Sequence, residues 1–310
     1  MLIFVNTISS VEIYVILLGM ERDRECEDMP EKKIAIVTDS ACDLPDSVLQ
    51  KYDIRFISLR MVCSGGEYRD RREITDEEIY KMLDTEIPRT SLPLFEDMEK
   101  LYNELADEGF TDVIHLCISS GLSGTYNAVA MFAKEYARLR VHVFDTKTLS
   151  MQQGIIVLLC ARMLKRSQDI EEILAYAQKL RDNSAGYFVV RTLEYLRKGG
   201  RIGLVEGVLG TVLQLKPIIW VNDDGIYETV AKVRGHGNAV ETLIKECQKK
   251  FEKAKVMLAV VHGSAQADAE KLLDRLKVVL NIEESFLGTV SPVLGIHTGP
   301  GLLAVIACRV

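Results

Sequence analysis

A serine- and glycine-rich segment near the middle of the chain has residue types that can bind an anion. The segment Ile118–Thr125 (ISSGLSGT) lies between a continuous apolar run and an amphipathic stretch, where a strand meets a helix. Open α/β sheets bind ligands beyond the carboxyl ends of their strands, and the N–H groups at a helix N-terminus favour negative charge. The segment is therefore a predicted anion site. The alternative is that Ser120 or Ser123 only caps the helix.

The same segment raises a second hypothesis, a serine-dependent acyl hydrolase with Ser120 or Ser123 as the nucleophile. The strand–turn–helix context suits a nucleophile elbow, but that motif requires G-x-S-x-G, and the pattern here is G-L-S-G-T. The five histidines of the chain form no triad signature with either serine. A hydrolase is therefore kept as the alternative function.

Two further polar segments adjoin predicted strands or helices. Asp39 and Ser40 belong to the polar triplet 38–40 that follows the apolar run 34–37, and such a triplet is usually just a turn or a cap. Thr90 and Ser91 lie between two prolines in PRTSLP, and proline keeps the residue before it extended, so this loop is rigid. A simple helix start is the other explanation of the second segment.

The segment Gly295–Gly301 near the C-terminus carries His297 and Thr298 among three glycines. Glycine permits positive φ and a close backbone approach, and an imidazole can donate a hydrogen bond to a carboxylate. We expect a loop joining two strands, which accounts for the glycines but not for the histidine. Arg201 follows a predicted helix end, where the helix dipole by itself explains a cation.

From Lys33 to about residue 180, strand and helix patterns alternate, which predicts right-handed βαβ units and a parallel sheet. Predicted strands are 34–37, 54–62, 112–118 and 141–144, and predicted helices include 95–108, 125–138 and 151–165. Thr75 and Glu78 form a capping box, and residues 63–74 are predicted to form a small hairpin-like insertion.

After about residue 180 the pattern changes to that of a mixed sheet with helices. Asn222–Gly225 is a hairpin signal between two apolar strands. Other predicted strands are 187–190, 256–261, 286–296 and 302–307. The predicted fold class is α/β with two domains, a three-layer α/β/α parallel-sheet domain over 32–180 and an α/β domain with a mixed sheet over 181–310.

The composition of the 310-residue chain is that of a globular protein, with 48% hydrophobic and 27% charged residues. The net charge of −7 argues against an extended nucleic-acid groove. The seven cysteines contain no C-x-x-C pair and are predicted to be reduced core residues of a cytoplasmic protein. The chain has no phosphate loop, no G-x-G-x-x-G and no H-E-x-x-H, so we expect no cofactor and no metal.

Residues 1–31 are predicted to be an N-terminal extension. Their apolar residues are interrupted by Glu12 and lack a preceding positive charge, which suits neither a transmembrane helix nor a signal peptide. The interpretations left open are translation from Met29, a genuine extension and a membrane anchor.

Several motifs, in this order along the chain, resemble those of the DegV family. They are KIAIVTDS followed by DLP at 33–45, TSLP at 90–93, the serine-rich segment, LRKGGRI at 196–202 and His297 within its glycines. The resemblance runs from about Lys32 to the C-terminus. Leu92, where the family more often has a polar residue, and the N-terminal extension are the departures.

This resemblance implies a bacterial lipid-binding protein without catalysis of its own, holding one long-chain fatty acid between two domains. It implies that the carboxylate is bound by Thr90, Ser91, Ser119, Ser120, Gly121, His297 and Thr298, with Asp39 and Ser40 in a nearby loop. It also implies a partner, an ATP-binding fatty acid kinase subunit that makes the acyl phosphate for phospholipid metabolism. Arg201 is then a predicted contact for phosphate or for the kinase, and a transient contact with a membrane surface is a further expectation.

Overall fold

A computed structural model describes residues 32–208 and 215–310 of the chain. The predictions for residues 1–31, including the start at Met29, lie outside these ranges. No helix in the two described ranges is both long and apolar enough to cross a membrane.

The N-terminal half is built on a parallel sheet in the order β2-β1-β6-β7. Its strands are β1 (Ile34–Asp39), β2 (Arg55–Ile57), β6 (Asp112–Cys117) and β7 (Arg140–Asp145). All residues of β1 and β6 are buried, as their continuous apolar runs predict for strands covered on both faces. The polar residues that follow β1 and β6 therefore meet at one edge of the sheet.

The predicted strand 54–62 is wrong, because the chain leaves the parallel sheet after Ile57. Leu59 donates its N–H to Ser40 Oγ (3.0 Å), and Ser58 Oγ donates to the carbonyl of Asp70 (2.9 Å). These bonds replace the strand ladder, so the chain turns and forms a separate antiparallel sheet. That sheet has the order β4-β3-β5 and contains β3 (Arg60–Cys63), β4 (Gly66–Arg69) and β5 (Arg89–Ser91). The hairpin-like insertion is thus confirmed, although it starts at Arg60.

The strands of this half alternate with helices. The helices are α1 (Asp46–Lys51), α2 (Asp76–Met82), α3 (Phe95–Asp107), α4 (Thr125–Glu135), α5 (Ser150–Leu164) and α6 (Ile170–Asp182). The capping box of Thr75 and Glu78 is present at the start of α2. Every residue of α5 from Met151 to Ala161 is buried, because the helix packs against both the parallel sheet and the mixed sheet of the C-terminal half.

The C-terminal half contains the predicted mixed sheet, in the order β10-β9-β8-β13-β11-β12. Its strands are β8 (Ser184–Val189), β9 (Leu215–Val221), β10 (Tyr227–Arg234), β11 (Lys255–His262), β12 (Asn281–Thr289) and β13 (Leu303–Arg309), and its helices are α7 (Glu194–Lys198), α8 (His236–Phe251), α9 (Gln266–Val279) and α10 (Pro292–Thr298). β9 and β10 form the predicted antiparallel hairpin, and β11 pairs parallel with β12.

The predicted strand 286–296 and the loop around His297 are both wrong. β12 ends at Thr289, and α10 begins at Pro292, the first helical residue. A proline at this position costs no hydrogen bond and fixes φ in the helical range, so Ser291-Pro292 was a usable start signal. His297 and Thr298 therefore lie in the last turn of a buried helix, which ends at Gly299 with φ of +70°.

The predicted fold class, α/β with a parallel and a mixed sheet, is confirmed. The strands of the parallel sheet end at Asp145 and those of the mixed sheet begin at Ser184. Residues 33–310 form one compact unit, so the domain boundary near 180 stays a prediction. Burial of the cysteines is confirmed for Cys42, Cys117, Cys160, Cys247 and Cys308, whereas Cys63 is partly exposed.

Candidate functional site

Two adjoining cavities lie between the parallel and the mixed sheet. The one we name the polar cavity has a volume of about 30 Å³. It is lined by Leu59, Thr90, Ile118, Leu122, Ser123, Leu149, Arg201, Tyr227, Val293, Leu294 and His297. The apolar cavity has a volume of about 50 Å³, and most of its wall consists of aliphatic and aromatic side chains from α10, the mixed sheet and the adjoining loops, whereas α5 contributes Ser150 and Gln152. Leu149, Tyr227 and Leu294 line both, so the two cavities share part of their walls.

Thr90 and His297 form a pair at the polar cavity. Thr90 Oγ1 lies 3.0 Å from His297 Nε2, although the two residues are 207 positions apart in the sequence. Burial, followed by the nearby charge of Arg201, lowers the pKa of His297 to about 4, so the imidazole is neutral at physiological pH. A neutral imidazole and a hydroxyl together offer one N–H or O–H to a third group in the cavity.

The other ring nitrogen of His297 is enclosed by the protein. In the described part of the chain, Nδ1 has no hydrogen-bond partner. A Cβ at Gly199 would overlap Nδ1, so the absence of a side chain there leaves the imidazole its place. The LRKGGRI motif thus contributes two features to the site. Gly199 leaves space for the imidazole of His297, and Arg201 lines the polar cavity.

Two buried carboxylates from the N-terminal half hold the start of α10. Asp43 Oδ1 accepts from the N–H of Ser291 (2.9 Å), and Asp70 Oδ1 accepts from the N–H of Val293 (3.0 Å). Both N–H groups lie at a helix N-terminus, where carboxylates are favoured. Burial raises the pKa of Asp43 to about 6 and that of Asp70 to about 7. The position of His297 therefore depends on residues far from it in the sequence.

Within the serine-rich segment, Ser119, Ser120 and Gly121 lie next to a hairpin rather than the cavities. Ser119 Oγ donates to the carbonyl of Gly225 in the β9–β10 turn (2.7 Å) and accepts from the N–H of Gly121 (3.1 Å). Ser120 Oγ accepts from Lys147 Nζ (2.9 Å). The three residues line neither cavity, because the hairpin turn packs directly on them.

The remaining predicted site residues divide between the cavities and other places. Arg201 lines the polar cavity, and Thr298 lines the apolar cavity with Oγ1 donating to the carbonyl of Leu294 (3.0 Å). Ser91 is exposed and lines neither. The segment with Asp39 and Ser40 is structural: Asp39 Oδ2 accepts from the N–H of Ile118 (2.7 Å), which ties the ends of β1 and β6 together.

The family comparison agrees with the sequence motifs. The model of the family described as "Uncharacterised protein, DegV family" matches residues 33–310. The chain belongs to the DegV family.

This chain matches its relatives in the DegV family over almost their whole length. A DegV domain-containing protein of Clostridium acetobutylicum is 40% identical over 275 residues, which are 89% of this chain and 98% of that protein. A Thermus thermophilus structure, described as fatty acid binding of a DegV family protein, has a TM-score of 0.83 at 33% identity, with 90% of this chain and 100% of that chain covered. A stearic acid-binding protein from Eubacterium ventriosum has a TM-score of 0.81 at 26% identity and 89% and 98% coverage.

Sequence reasoning missed Tyr227, which lines both cavities of this DegV-family protein. Tyr227 is 4% exposed, and no residue in the described ranges forms a hydrogen bond with its hydroxyl. Burial raises the pKa of the Tyr227 phenol, and the charge of Arg201, which also lines the polar cavity, opposes that change. No signal in the sequence distinguishes Tyr227 from other inward-facing strand residues. Ser123, considered only as a nucleophile or a cap, also lines the polar cavity.

Proposed function

We propose that this protein binds one long-chain fatty acid, with its carboxylate in the polar cavity and its acyl chain in the apolar cavity. The observation that supports this most directly is that the two cavities share a wall, one having the Thr90–His297 pair in its lining and the other being lined mostly by apolar side chains. Both cavities must widen to admit a long acyl chain. Solved DegV relatives described as binding fatty acids support the same ligand class.

The two ends of such a ligand have different needs. Each buried CH₂ contributes about 0.8 kcal/mol, so the apolar cavity favours a long chain. A carboxylate withdrawn from water requires several donors. In our proposal the Thr90–His297 pair supplies one donor, and Arg201 and the hydroxyl of Tyr227 supply the others. Ser119, Ser120 and Gly121 join them only if the β9–β10 turn moves away, because Gly225 now occupies their side.

The resemblance to DegV proteins extends the proposal to a partner. We propose that the protein acts in the cytoplasm and presents the bound carboxylate to a separate ATP-binding kinase subunit, with Arg201 near the phosphate or the kinase. A separate kinase agrees with a sequence that has no phosphate loop. Exchange of the lipid would involve a transient contact with a membrane surface.

One contact bears on the alternative of a serine hydrolase. Lys147 Nζ lies 2.9 Å from Ser120 Oγ, as in a serine–lysine dyad. The same Nζ lies 3.2 Å from Asp145 Oδ2, so Lys147 is held in an ion pair as well as in its contact with Ser120. Ser123 Oγ is bonded to Thr125 Oγ1 at 2.8 Å. The geometry therefore supports binding better than acyl transfer.

Native mass spectrometry of the purified protein, followed by lipid extraction and uptake of added stearate, tests this function. We expect one fatty acid per chain, with uptake reduced in His297→Leu and unchanged in Ser91→Ala, since Ser91 is exposed outside both cavities. A protein that neither carries nor takes up a fatty acid contradicts the proposal. Turnover of a chromogenic ester that is lost in Ser120→Ala would favour the hydrolase.

A further inference from the structure

One amide side chain lies in the wall of the apolar cavity. Gln152, in the first turn of α5, is 5% exposed and lines this cavity together with apolar residues such as Phe188, Val221 and Ile306. A polar group buried among such side chains is costly unless it has a hydrogen-bond partner. The partners of the Gln152 amide therefore decide its role.

The neighbours of Gln152 fix which end of the amide faces the cavity. Its Nε2 lies 2.9 Å from Ser184 Oγ, and Ser184 Oγ donates its own proton to the carbonyl of Arg181 at 3.0 Å. Since a hydroxyl has one proton to donate, Ser184 must accept from Gln152. The nitrogen of the amide is thus directed to Ser184, and the oxygen points the other way.

The amide oxygen lies beside two residues of the cavity wall. A Cβ built on Gly186 would be 2.9 Å from Gln152 Oε1 and 3.4 Å from Ile306 Cγ1, and both Gly186 and Ile306 line the cavity. Within residues 32–208 and 215–310, no group donates a hydrogen bond to this oxygen. Because Gly186 has no side chain, space remains next to the amide oxygen of Gln152 that the side chain of any other residue would fill.

The hydroxyls of Ser150 and Thr298 in this wall already have partners, and that of Tyr227 is assigned above to the ligand carboxylate. Ser150 Oγ donates to Asp43 Oδ2 (2.5 Å), and Thr298 Oγ1 donates to Leu294 O (3.0 Å). An ordered water needs two to four polar partners, and the amide oxygen offers one. A donor carried by the ligand itself satisfies the oxygen better than a water does.

We propose that the apolar cavity selects fatty acids whose acyl chain bears a hydroxyl group, with Gln152 Oε1 as the acceptor. This inference rests on the proposed fatty-acid site and names the class of acid that the site prefers. An unsubstituted chain packed against Gln152 leaves the amide oxygen buried without a partner, whereas a chain hydroxyl donates to it. A hydroxyl is small and neutral, so it enters an apolar wall at less cost than an amine or a carboxylate.

Competition binding of stearate and a series of mid-chain hydroxystearates to the full-length protein tests the proposal. We expect at least one isomer, the one whose hydroxyl reaches Gln152, to bind about tenfold more tightly than stearate, which corresponds to about 1.4 kcal/mol. Gln152→Leu should abolish this preference, and Gln152→Met serves as a second variant in case the first does not fold. Ile306→Val, a change in the same wall without a polar group, should affect both ligands equally.

The outcomes separate this inference from the function on which it rests. If stearate binds the wild type and no hydroxystearate binds more tightly, the inference is wrong and the fatty-acid function stands. If a preference persists in both Gln152 variants, the assignment of Gln152 is overturned. If neither stearate nor any isomer binds the wild type, the proposed function fails and the inference fails with it.

Discussion

Replacement of Asp70 by asparagine should stabilise the protein at neutral pH and leave it unchanged in acid. Asp70 is fully buried, and its Oδ1 accepts from the N–H of Val293 at the start of α10. An asparagine keeps an acceptor oxygen for that bond but carries no charge. The variant therefore removes the cost of the buried charge while it retains the contact that positions the helix of His297.

The size of the effect follows from the pKa of Asp70. Burial raises this pKa from 3.8 to about 7, and Arg71 opposes the change only in part. At 1.36 kcal/mol for each pH unit between the two values, the charged form costs about 4 kcal/mol as an upper limit. Relaxation around the charge reduces this figure, so we expect about 2 kcal/mol.

The raised pKa of Asp70 in the folded protein fixes the direction in which stability changes with pH. The folded protein binds the Asp70 proton more tightly than the unfolded chain, so its contribution to stability is complete below pH 3.8 and is lost as the pH rises through about 7. Asp70→Asn should match the wild type at about pH 4 and exceed it at about pH 8.

Urea unfolding of both proteins at a series of pH values measures this difference. Asp84→Asn, which removes the same charge from an exposed position, is the matched control and should show no such trend. A difference between Asp70→Asn and wild type that does not vary with pH, or a variant that is less stable at about pH 8, would refute the reasoning.

Three further predictions concern the cavities and the packing of α5. Thr90→Val should weaken stearate binding about tenfold in calorimetric titration, because it removes the hydroxyl that lies 3.0 Å from His297 Nε2. Tyr227→Phe should weaken binding about fivefold in the same assay if its hydroxyl donates to the ligand, and should leave the melting temperature unchanged or higher. Gly154→Ala should lower the stability by about 1–3 kcal/mol in thermal unfolding, because its Cβ would overlap the carbonyl of Cys42.

The controls for these variants lie in the same chain. Gly237→Ala, in α8 with nothing within 4 Å of the added Cβ, should be neutral or stabilising by up to about 1 kcal/mol. Stearate affinity equal to wild type in both Thr90→Val and Tyr227→Phe would place the carboxylate elsewhere. A Gly154→Ala protein as stable as Gly237→Ala would show that α5 can shift to make room.

Local sequence patterns were reliable where one element determines its own environment. The apolar runs of β1 and β6, the capping box at Thr75 and the hairpin at Asn222–Gly225 are all present in the structure. They were reliable because strand burial, helix capping and turn geometry depend on residues close together in the chain.

The errors occurred where distant residues replaced a local preference. The strand predicted over 54–62 is interrupted because two groups bond outside the sheet. The N–H of residue 59 donates to Ser40 Oγ, and the side chain of residue 58 donates to the carbonyl of Asp70. The helix at Pro292 begins where two carboxylates from the N-terminal half accept its first N–H groups. In both cases the partner lies in a different element, so a window of sequence contains at most a start signal such as Pro292 and not the contacts that fix the element.

The sequence by itself determined the α/β class, the parallel and mixed sheets and the resemblance to DegV proteins. It also selected Thr90, His297 and Arg201, polar residues beside turns and helix ends, which line one cavity. Only the tertiary structure decided that Ser119 faces a hairpin and that Gln152 faces the apolar cavity. The physical reason is that a cavity wall is assembled from side chains of several elements, and the direction of each side chain is set by packing partners that periodicity along the chain does not specify.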